Sequence, residues 1–246
     1  ERIPAYLPDT PGVRRDFAKF YNAMESMDKE LAFRLRELEE AGLADDTIVF
    51  FWSDHGVGLP RSKRWNYESG TRAPLIVHIP EKWRTPGQAK PGTVDDQLVS
   101  FLDLAPTVLN LAGVPVPEHF QGRAFLGPNL KAPREYIYSC HDRMDERYDL
   151  VRSVTDGRYV YVRNYMPHLI YGQHLNYMWQ TPTTRVWEQL HKEGKLNAAQ
   201  DKFWNPKPPE ELFDLQSDPD EVVNLADSKE HAEIKKELRV IQANHA

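Results

Sequence analysis

An aspartate and a histidine stand side by side where an apolar run of the chain ends. Residues 47–52 are mostly β-branched and aromatic, and Ser53, Asp54, His55 and Gly56 follow directly. Such a run predicts a strand buried on both faces of a parallel sheet, and ligands bind beyond the carboxyl ends of such strands. A turn at the glycine would let both side chains reach one metal ion. The alternative is a loop aspartate that caps a backbone amide beside a surface histidine.

Basic residues cluster a few positions further on, at Arg61, Lys63 and Arg64. Their charges suit the binding of a small anion, although charge runs are commonly solvated loops. The whole chain has a formal net charge of −6, which gives no reason to expect nucleic acid as a partner. Its single cysteine, Cys140, excludes an intrachain disulfide, and no apolar run approaches the length of a membrane span.

Two longer motifs follow this cluster. Residues 67–74 read Tyr-Glu-Ser-Gly-Thr-Arg-Ala-Pro, and residues 211–221 read Glu-Leu-Phe-Asp-Leu-Gln-Ser-Asp-Pro-Asp-Glu. Together with the Ser-Asp-His-Gly strand end, they resemble the sulfatase family of the alkaline phosphatase superfamily, with a closer likeness to its heparan N-sulfatase-like branch. The resemblance covers nearly all 246 residues but only the C-terminal half of a sulfatase. The early metal-binding Asp-Asp pair and the formylglycine motif of the family are missing from this sequence.

The resemblance implies a metal site and an anion contact. Asp54 and His55 match the later pair of metal ligands in the family. A carboxylate favours Ca²⁺, with Mg²⁺ as an alternative, and the imidazole leaves Mn²⁺ open. Lys63, nine positions after Asp54, matches the basic residue that touches the substrate sulfate, and we expect it to be catalytic. Arg61 and Arg64 are the alternatives for that contact, and Arg61 is also expected to bind substrate.

The 67–74 motif is expected to support the site rather than to react. Tyr67, Glu68 and Arg72 match positions that would organise the loop around the metal and the sulfate. In the second half of the chain, His141 and Arg143 belong to the polar stretch 141–146, which resembles the loop that reaches toward the substrate in this branch. The alternative for that stretch is an ordinary charged loop with internal ion pairs.

The predicted fold class is α/β, an alkaline-phosphatase-like, mostly parallel sheet flanked by helices, with a smaller C-terminal antiparallel subdomain. We expect residues 1–133 to belong to the catalytic domain and residues 134–246 to form the subdomain with its closing helix. An amphipathic helix should begin at Pro11 and end before Gly42, with an apolar stripe in the core. The other predicted elements are helices over 101–113, 181–203 (in two pieces) and 229–242, and strands over 47–52, 75–79, 135–140, 149–155, 158–163 and 212–215.

The implied function is metal-dependent hydrolysis of a sulfate ester or N-sulfate on a sulfated carbohydrate. The nucleophile and the remaining metal ligands are expected in an N-terminal half outside this sequence, so the chain alone should be inactive. A phosphodiesterase or phosphonate monoester hydrolase of the same superfamily, or a non-catalytic fragment, is the alternative. Aromatic residues within 171–179 could stack on a sugar ring or pack between subdomains. By the same resemblance alone, a periplasmic, secreted or lysosomal location is favoured.

Overall fold

The computed structural model describes residues 2–85, 90–143 and 145–245, and these form two compact units. The first unit consists of Glu1–Glu30, Ser53–Pro74 and Tyr138–Ala246, and the second of Leu31–Trp52 and Leu75–Ile137. The chain therefore passes between the units several times instead of dividing once. The predicted domains, 1–133 and 134–246, concern the complete protein and stay a prediction.

The helices and strands lie close to their predicted positions. The α-helices are α1 (Pro11–Glu40), α2 (Glu68–Thr71), α3 (Leu104–Leu111), α4 (Pro182–Lys192), α5 (Ala198–Asp201) and α6 (Ala232–His245). The strands are β1 (Val49–Trp52), β2 (Leu75–His78), β3 (Ile137–His141), β4 (Val151–Thr155), β5 (Tyr159–Asn164) and β6 (Glu210–Asp214). Short 3₁₀ turns span Ala44–Asp46, Glu81–Trp83, Phe101–Asp103, Met178–Gln180 and Lys202–Trp204. No helix among the described residues has both the length and the apolar character needed to cross a membrane.

The first unit contains a four-stranded sheet in the order β3-β4-β5-β6. Strand β5 pairs antiparallel with both β4 and β6, which confirms the predicted antiparallel subdomain. Asp156 and Gly157 form the turn between β4 and β5, with Gly157 at φ 94° and the Asp156 carboxylate accepting from the Tyr159 amide at 2.6 Å. An Asp-Gly pair between two strands favours such a hairpin, since glycine adopts a positive φ without strain.

Aromatic side chains dominate the core of the first unit. Trp187 and Phe203 stack with their ring centroids 4.4 Å apart, and Trp204 meets Trp187 edge-on at 5.5 Å. Tyr67 joins this core from the segment that follows the basic cluster, packing against Phe213 at 5.8 Å. The loop with the predicted site residues is therefore anchored in a rigid aromatic core.

In the second unit, β1 and β2 form a two-stranded antiparallel sheet, with Trp52 opposite Leu75. The prediction that β1 is buried on both faces in a parallel sheet is wrong within this chain: Trp52 is 48% exposed and Ile76 is 59% exposed. No third strand pairs with these two in the part of the chain that the structure describes. An apolar strand is buried on both faces only where neighbouring strands and helices cover it, so the run alone could not establish burial.

Helix α1 forms as predicted, but most of its apolar stripe is not core. Phe17 is buried, whereas Met24, Met27 and Leu35 are exposed. Periodicity predicts which face of a helix is apolar, but not whether another segment of the same chain covers that face. The core prediction for these three residues is therefore wrong within this chain.

Exposed apolar surface on β1, β2 and α1 leads to a first prediction. Expressed alone, the chain should bind a hydrophobic dye and self-associate, because patches of this kind are rare on soluble monomers. Dye fluorescence and light scattering would measure this, and Ile76→Lys, on the exposed face of β2, should lower both signals. A sharp cooperative melt with low dye binding by the unmodified chain would contradict the prediction.

Candidate active site

A close backbone contact shapes the loop after β1. The Gly56 amide donates to the Gly70 carbonyl at 2.9 Å, and the Val57 amide donates to the Ser69 carbonyl at 2.8 Å. A Cβ on Gly56 would lie 2.2 Å from the Ser69 oxygen, and a Cβ on Gly70 would lie 2.0 Å from the Ser62 oxygen. Both positions therefore require glycine, and residues between them form a loop closed at its base.

Asp54 and His55 lie immediately before this contact and face one another. The His55 Nδ1 is 2.9 Å from the Gly56 carbonyl oxygen, and its Nε2 is 3.6 Å from Asp54 Oδ1. A carbonyl can only accept a hydrogen bond, so Nδ1 is the donor to Gly56, and Nε2 is the ring nitrogen that faces Asp54. The two potential ligand atoms thus lie close together, and the Asp54 side chain is 85% exposed.

The donor set of this pair fits a divalent cation. A carboxylate oxygen and an imidazole nitrogen are both common ligands of divalent cations. A backbone carbonyl that accepts from the other ring nitrogen orients the imidazole for this role. Among the described residues, no group of three or more His, Cys, Asp or Glu side chains could hold a metal ion together. Asp54 and His55 would therefore supply part of a coordination shell.

Lys63 stands in the outer turn of the closed loop. Its amide donates to the Val57 carbonyl at 3.0 Å, and its ammonium lies 5.5 Å from the centre of the Tyr177 ring. Within the described residues, the ammonium forms no ion pair with a carboxylate. A half-exposed cation held beside an aromatic face is available to an anionic ligand.

The neighbouring arginines are held by the protein itself. Arg64 pairs with Asp145 and lies 4.5 Å above the Tyr177 ring. Arg61 is 4% exposed, and its guanidinium lies between the rings of Tyr6 and Tyr67, at 4.2 and 3.8 Å. These contacts leave Lys63 as the most available of the three cations. They hold Arg61 in buried contacts within the protein, and its contact with substrate stays a prediction.

Tyr67, Glu68 and Arg72 lie below and beside the loop, where the sequence predicted supporting residues. Tyr67 is buried and its hydroxyl donates to Glu211 Oε1 at 3.4 Å. Burial, reinforced by the Glu211 carboxylate, raises the pKa of Tyr67 well above its ordinary value, so the phenol stays protonated. Glu68 pairs with the exposed Arg72 at 3.2 Å across one helical turn. None of the three presents a free reactive group.

His141, at the end of β3, lies against the loop from the other part of the first unit. Its ring meets Trp65 edge-on at a centroid distance of 6.5 Å. Burial, the largest influence, lowers the pKa of His141, with Asp149 opposing that shift and Lys207 adding to it. The imidazole is therefore held neutral at pH 7, able to donate and to accept hydrogen bonds with a polar ligand.

A cavity of about 20 Å³, enough for a single water molecule, lies beside His141. Its polar lining includes the buried ion pair between Asp149 and Lys207, which sequence reasoning missed. The only local signal for Lys207 was its place among three prolines, at 206, 208 and 209, which does not indicate a buried charge.

The remaining predicted residues differ in their exposure to solvent. Arg143 is exposed and donates to the Asp145 carbonyl at 3.4 Å, while Met144 of the same stretch lies outside the described residues. In the aromatic stretch 171–179, Tyr171 is buried in the core, whereas Tyr177 is 49% exposed beside Lys63 and Arg64. The stretch therefore contributes to the core at Tyr171 and presents an exposed ring at Tyr177, and stacking on a sugar stays a prediction.

The chain is similar to known protein families and to individual proteins. The family model "Sulfatase" matches residues 4–114, and the model "N-sulphoglucosamine sulphohydrolase, C-terminal" matches residues 61–171. The chain is 43% identical to an ulvan-active sulfatase of Formosa agariphila, over 96% of this chain and 39% of that protein. It is 37% identical to the human N-sulphoglucosamine sulphohydrolase, over 53% of this chain and 26% of that protein.

A crystal structure from Bacteroides thetaiotaomicron, described as that of a candidate sulfatase, is also similar. It superimposes with a TM-score of 0.69 at 25% identity, over 98% of this chain and 45% of that one. This similarity confirms the predicted alkaline-phosphatase-like α/β fold class. The chain thus spans less than half the length of each of these three proteins.

Proposed function

Because the chain belongs to the sulfatase family, we propose that the complete protein hydrolyses sulfate esters or N-sulfates of a sulfated carbohydrate. One observation carries the proposal. The loop that holds Asp54, His55 and Lys63 lies within the matched Sulfatase model, and all three residues keep an atom available to a ligand. The substrate class is supported by the relatives, whose names refer to ulvan and to N-sulphoglucosamine.

Asp54 Oδ1 and His55 Nε2 would hold the metal ion, with further ligands from outside this sequence. Ca²⁺ is favoured by the carboxylate, and the imidazole keeps Mg²⁺ and Mn²⁺ as alternatives. When bound, a divalent cation polarises the sulfuryl oxygens and lowers the cost of charge that develops on them. The Gly56 carbonyl fixes the orientation of His55, so the pair needs little rearrangement to ligate.

Lys63 would bind one oxygen of the sulfate and stabilise negative charge on it during S–O or S–N cleavage. Its position supports this role because Arg61 and Arg64 are held by hydrogen bonds within the protein, whereas the Lys63 ammonium, among the described residues, forms no ion pair and lies only beside the Tyr177 ring. The Tyr177 ring beside it limits the conformations that the lysine side chain adopts, which preorganises the contact.

His141 and Arg143 would contact the sugar. Neutral His141 supplies a hydrogen bond to a hydroxyl, and exposed Arg143 supplies a charge for a carboxylate or a second sulfate. The formylglycine nucleophile expected from the family lies outside this sequence. No step of bond cleavage is therefore assigned to a residue of this chain other than charge stabilisation by Lys63.

The function is tested with the complete protein and four kinds of substrate: an aryl sulfate, sulfated oligosaccharides of ulvan, N-sulfoglucosamine, and phosphorus esters, represented by a phosphodiester and a phosphonate monoester. We expect sulfate release from at least one carbohydrate. The comparisons do not favour the phosphodiester or phosphonate alternative. Faster turnover of those compounds would refute the proposal, and inactivity on all four would indicate the non-catalytic alternative.

A second prediction concerns the metal. Asp54→Ala should remove a charged ligand, so metal content measured by elemental analysis should fall along with activity. His55→Asn should keep partial activity and shift the preference toward Ca²⁺, since an amide oxygen is a harder ligand than imidazole. Asp45→Ala, an exposed carboxylate in another turn, serves as the control for charge. Unchanged metal content in both site variants would show that these residues are not ligands.

A third prediction concerns Lys63. Lys63→Ala should lower kcat on the order of 10²–10³-fold with a smaller effect on KM, because a preorganised contact to developing charge is lost. Lys63→Arg should recover part of the activity, since the charge remains while its geometry changes. Lys29→Ala, an exposed lysine of α1 with the same loss of charge, should match the wild type. A Lys63→Ala enzyme with normal kcat would remove Lys63 from the mechanism.

A further inference from the structure

Arg61 is buried, and among the described residues no carboxylate side chain is its hydrogen-bond partner. Its NH1 donates to the Asp220 carbonyl at 3.1 Å, and its NH2 donates to the Glu221 carbonyl at 2.7 Å. The planar guanidinium lies between the rings of Tyr6 and Tyr67. A rigid fork that bonds two successive carbonyls while stacking on two rings fits arginine and not lysine.

Glu221 returns the contact to the same loop. It is 1% exposed, and its Oε2 accepts from the Glu68 amide at 2.7 Å. That amide is the first of helix α2, where a carboxyl oxygen satisfies a donor without an intrahelical partner. The 211–221 motif therefore binds the loop at two points, Arg61 and Glu68. These residues are about 160 and 153 positions away from Glu221 in sequence.

The backbone is unusual both in the loop segment 61–68 and at Glu221, which binds it. Arg61 and Arg64 adopt positive φ angles of 65° and 85°, and Glu221 adopts 52°. Residues other than glycine rarely adopt such conformations, which persist only where surrounding contacts enforce them. Lys63 lies between the two left-handed arginines, so its direction depends on what holds them.

We propose that Arg61 and Glu221 form a clamp that sets the position of Lys63, and that both are positioning residues of the active site. The clamp fixes one end of the segment through the Arg61 fork and the other through the Glu68 amide. The link to catalysis rests on the proposed function, whereas the clamp itself is a property of the loop. The two parts can therefore fail separately.

The protonation state of the Glu221 carboxyl determines which substitution preserves the clamp. Burial raises the pKa of Glu221 to about 8; Arg61 and the Glu68 amide oppose the shift, and the Glu68 and Glu211 carboxylates add to it. The carboxyl is thus mostly neutral at pH 7, and the amide of Glu221→Gln is close to it in shape and charge. Glu221→Ala removes the acceptor and leaves the Glu68 amide unpaired.

Hydrogen exchange of backbone amides in the complete protein tests the clamp directly. Glu221→Ala and Arg61→Lys should accelerate exchange in residues 61–72 on the order of tenfold, while the β4–β5 amides remain protected. Glu221→Gln should leave both regions as in the wild type. Leu238→Ala, a cavity in α6 beneath β4 and β5, is the matched control for general destabilisation. It should affect the sheet and not the loop.

Kinetics of the same variants test the link to Lys63. We expect Glu221→Ala and Arg61→Lys to lower kcat more than they raise KM, and Glu221→Gln to restore kcat. If Arg61→Lys raises KM without faster loop exchange, Arg61 is a substrate contact and the proposal is overturned. The proposal would also be overturned if Leu238→Ala, at the same loss of Tm, accelerated amide exchange in the loop as much as Glu221→Ala and Arg61→Lys do. If Glu221→Ala does not fold, the comparison of Arg61→Lys with Leu238→Ala tests the proposal by the same measurements.

A pH series adds an independent reading. The folded protein keeps a proton on Glu221 up to about pH 8, whereas the unfolded chain loses it near pH 4.3. The folded state binds more protons between these values, so this group's contribution to stability falls as pH rises from about 4.3 to about 8. Glu221→Gln should therefore show a smaller loss of Tm between pH 5 and pH 8. Identical slopes would contradict a buried neutral carboxyl.

Discussion

The contact between the Gly56 amide and the Gly70 carbonyl, 2.9 Å long, is the constraint on which the rest of the site depends. It brings two backbone segments so close that neither glycine tolerates a Cβ. Asp54 and His55, the proposed metal ligands, stand just before this contact, and Lys63 stands inside the loop that it closes. Because the contact is made by backbone atoms alone, it fixes the base of the loop whatever side chains the outer turn presents.

Beneath the loop, the core contains buried ion pairs. Burial alone would raise the pKa of Glu211, but the Lys202 ammonium at 2.8 Å and the Asn164 amide at 2.9 Å lower it below its ordinary value. Asp149 and Lys207 form a second buried ion pair beside His141. Buried pairs contribute little net stability, yet losing one partner is costly, so they favour a single arrangement of the core. That arrangement holds the aromatic rings on which the loop rests.

Signals that act over a few residues were sufficient to predict most elements of the fold. Ser100 caps the turn before α3, and the Asp156-Gly157 pair makes the β4–β5 hairpin, because both interactions are complete within five residues. Burial of β1 and of the α1 stripe could not be predicted, since it depends on what covers those faces. The motif indicated Asp54, His55 and Lys63, but not the settings of Arg61 and Glu221, whose contact spans 160 positions.

The two sides of the loop differ in how far their polar groups are satisfied. On the inner side, the Arg61 fork, the Tyr67 hydroxyl and the Glu68 amide all have partners within the protein. On the outer side, among the described residues, Asp54 has only the His55 ring at 3.6 Å, and the Lys63 ammonium has only an aromatic face. Polar groups are satisfied within the protein on the inner side, and opposite charges stay available on the outer side, which is why we propose the outer side as the recognition surface. The inner contacts are what keep that surface in one geometry.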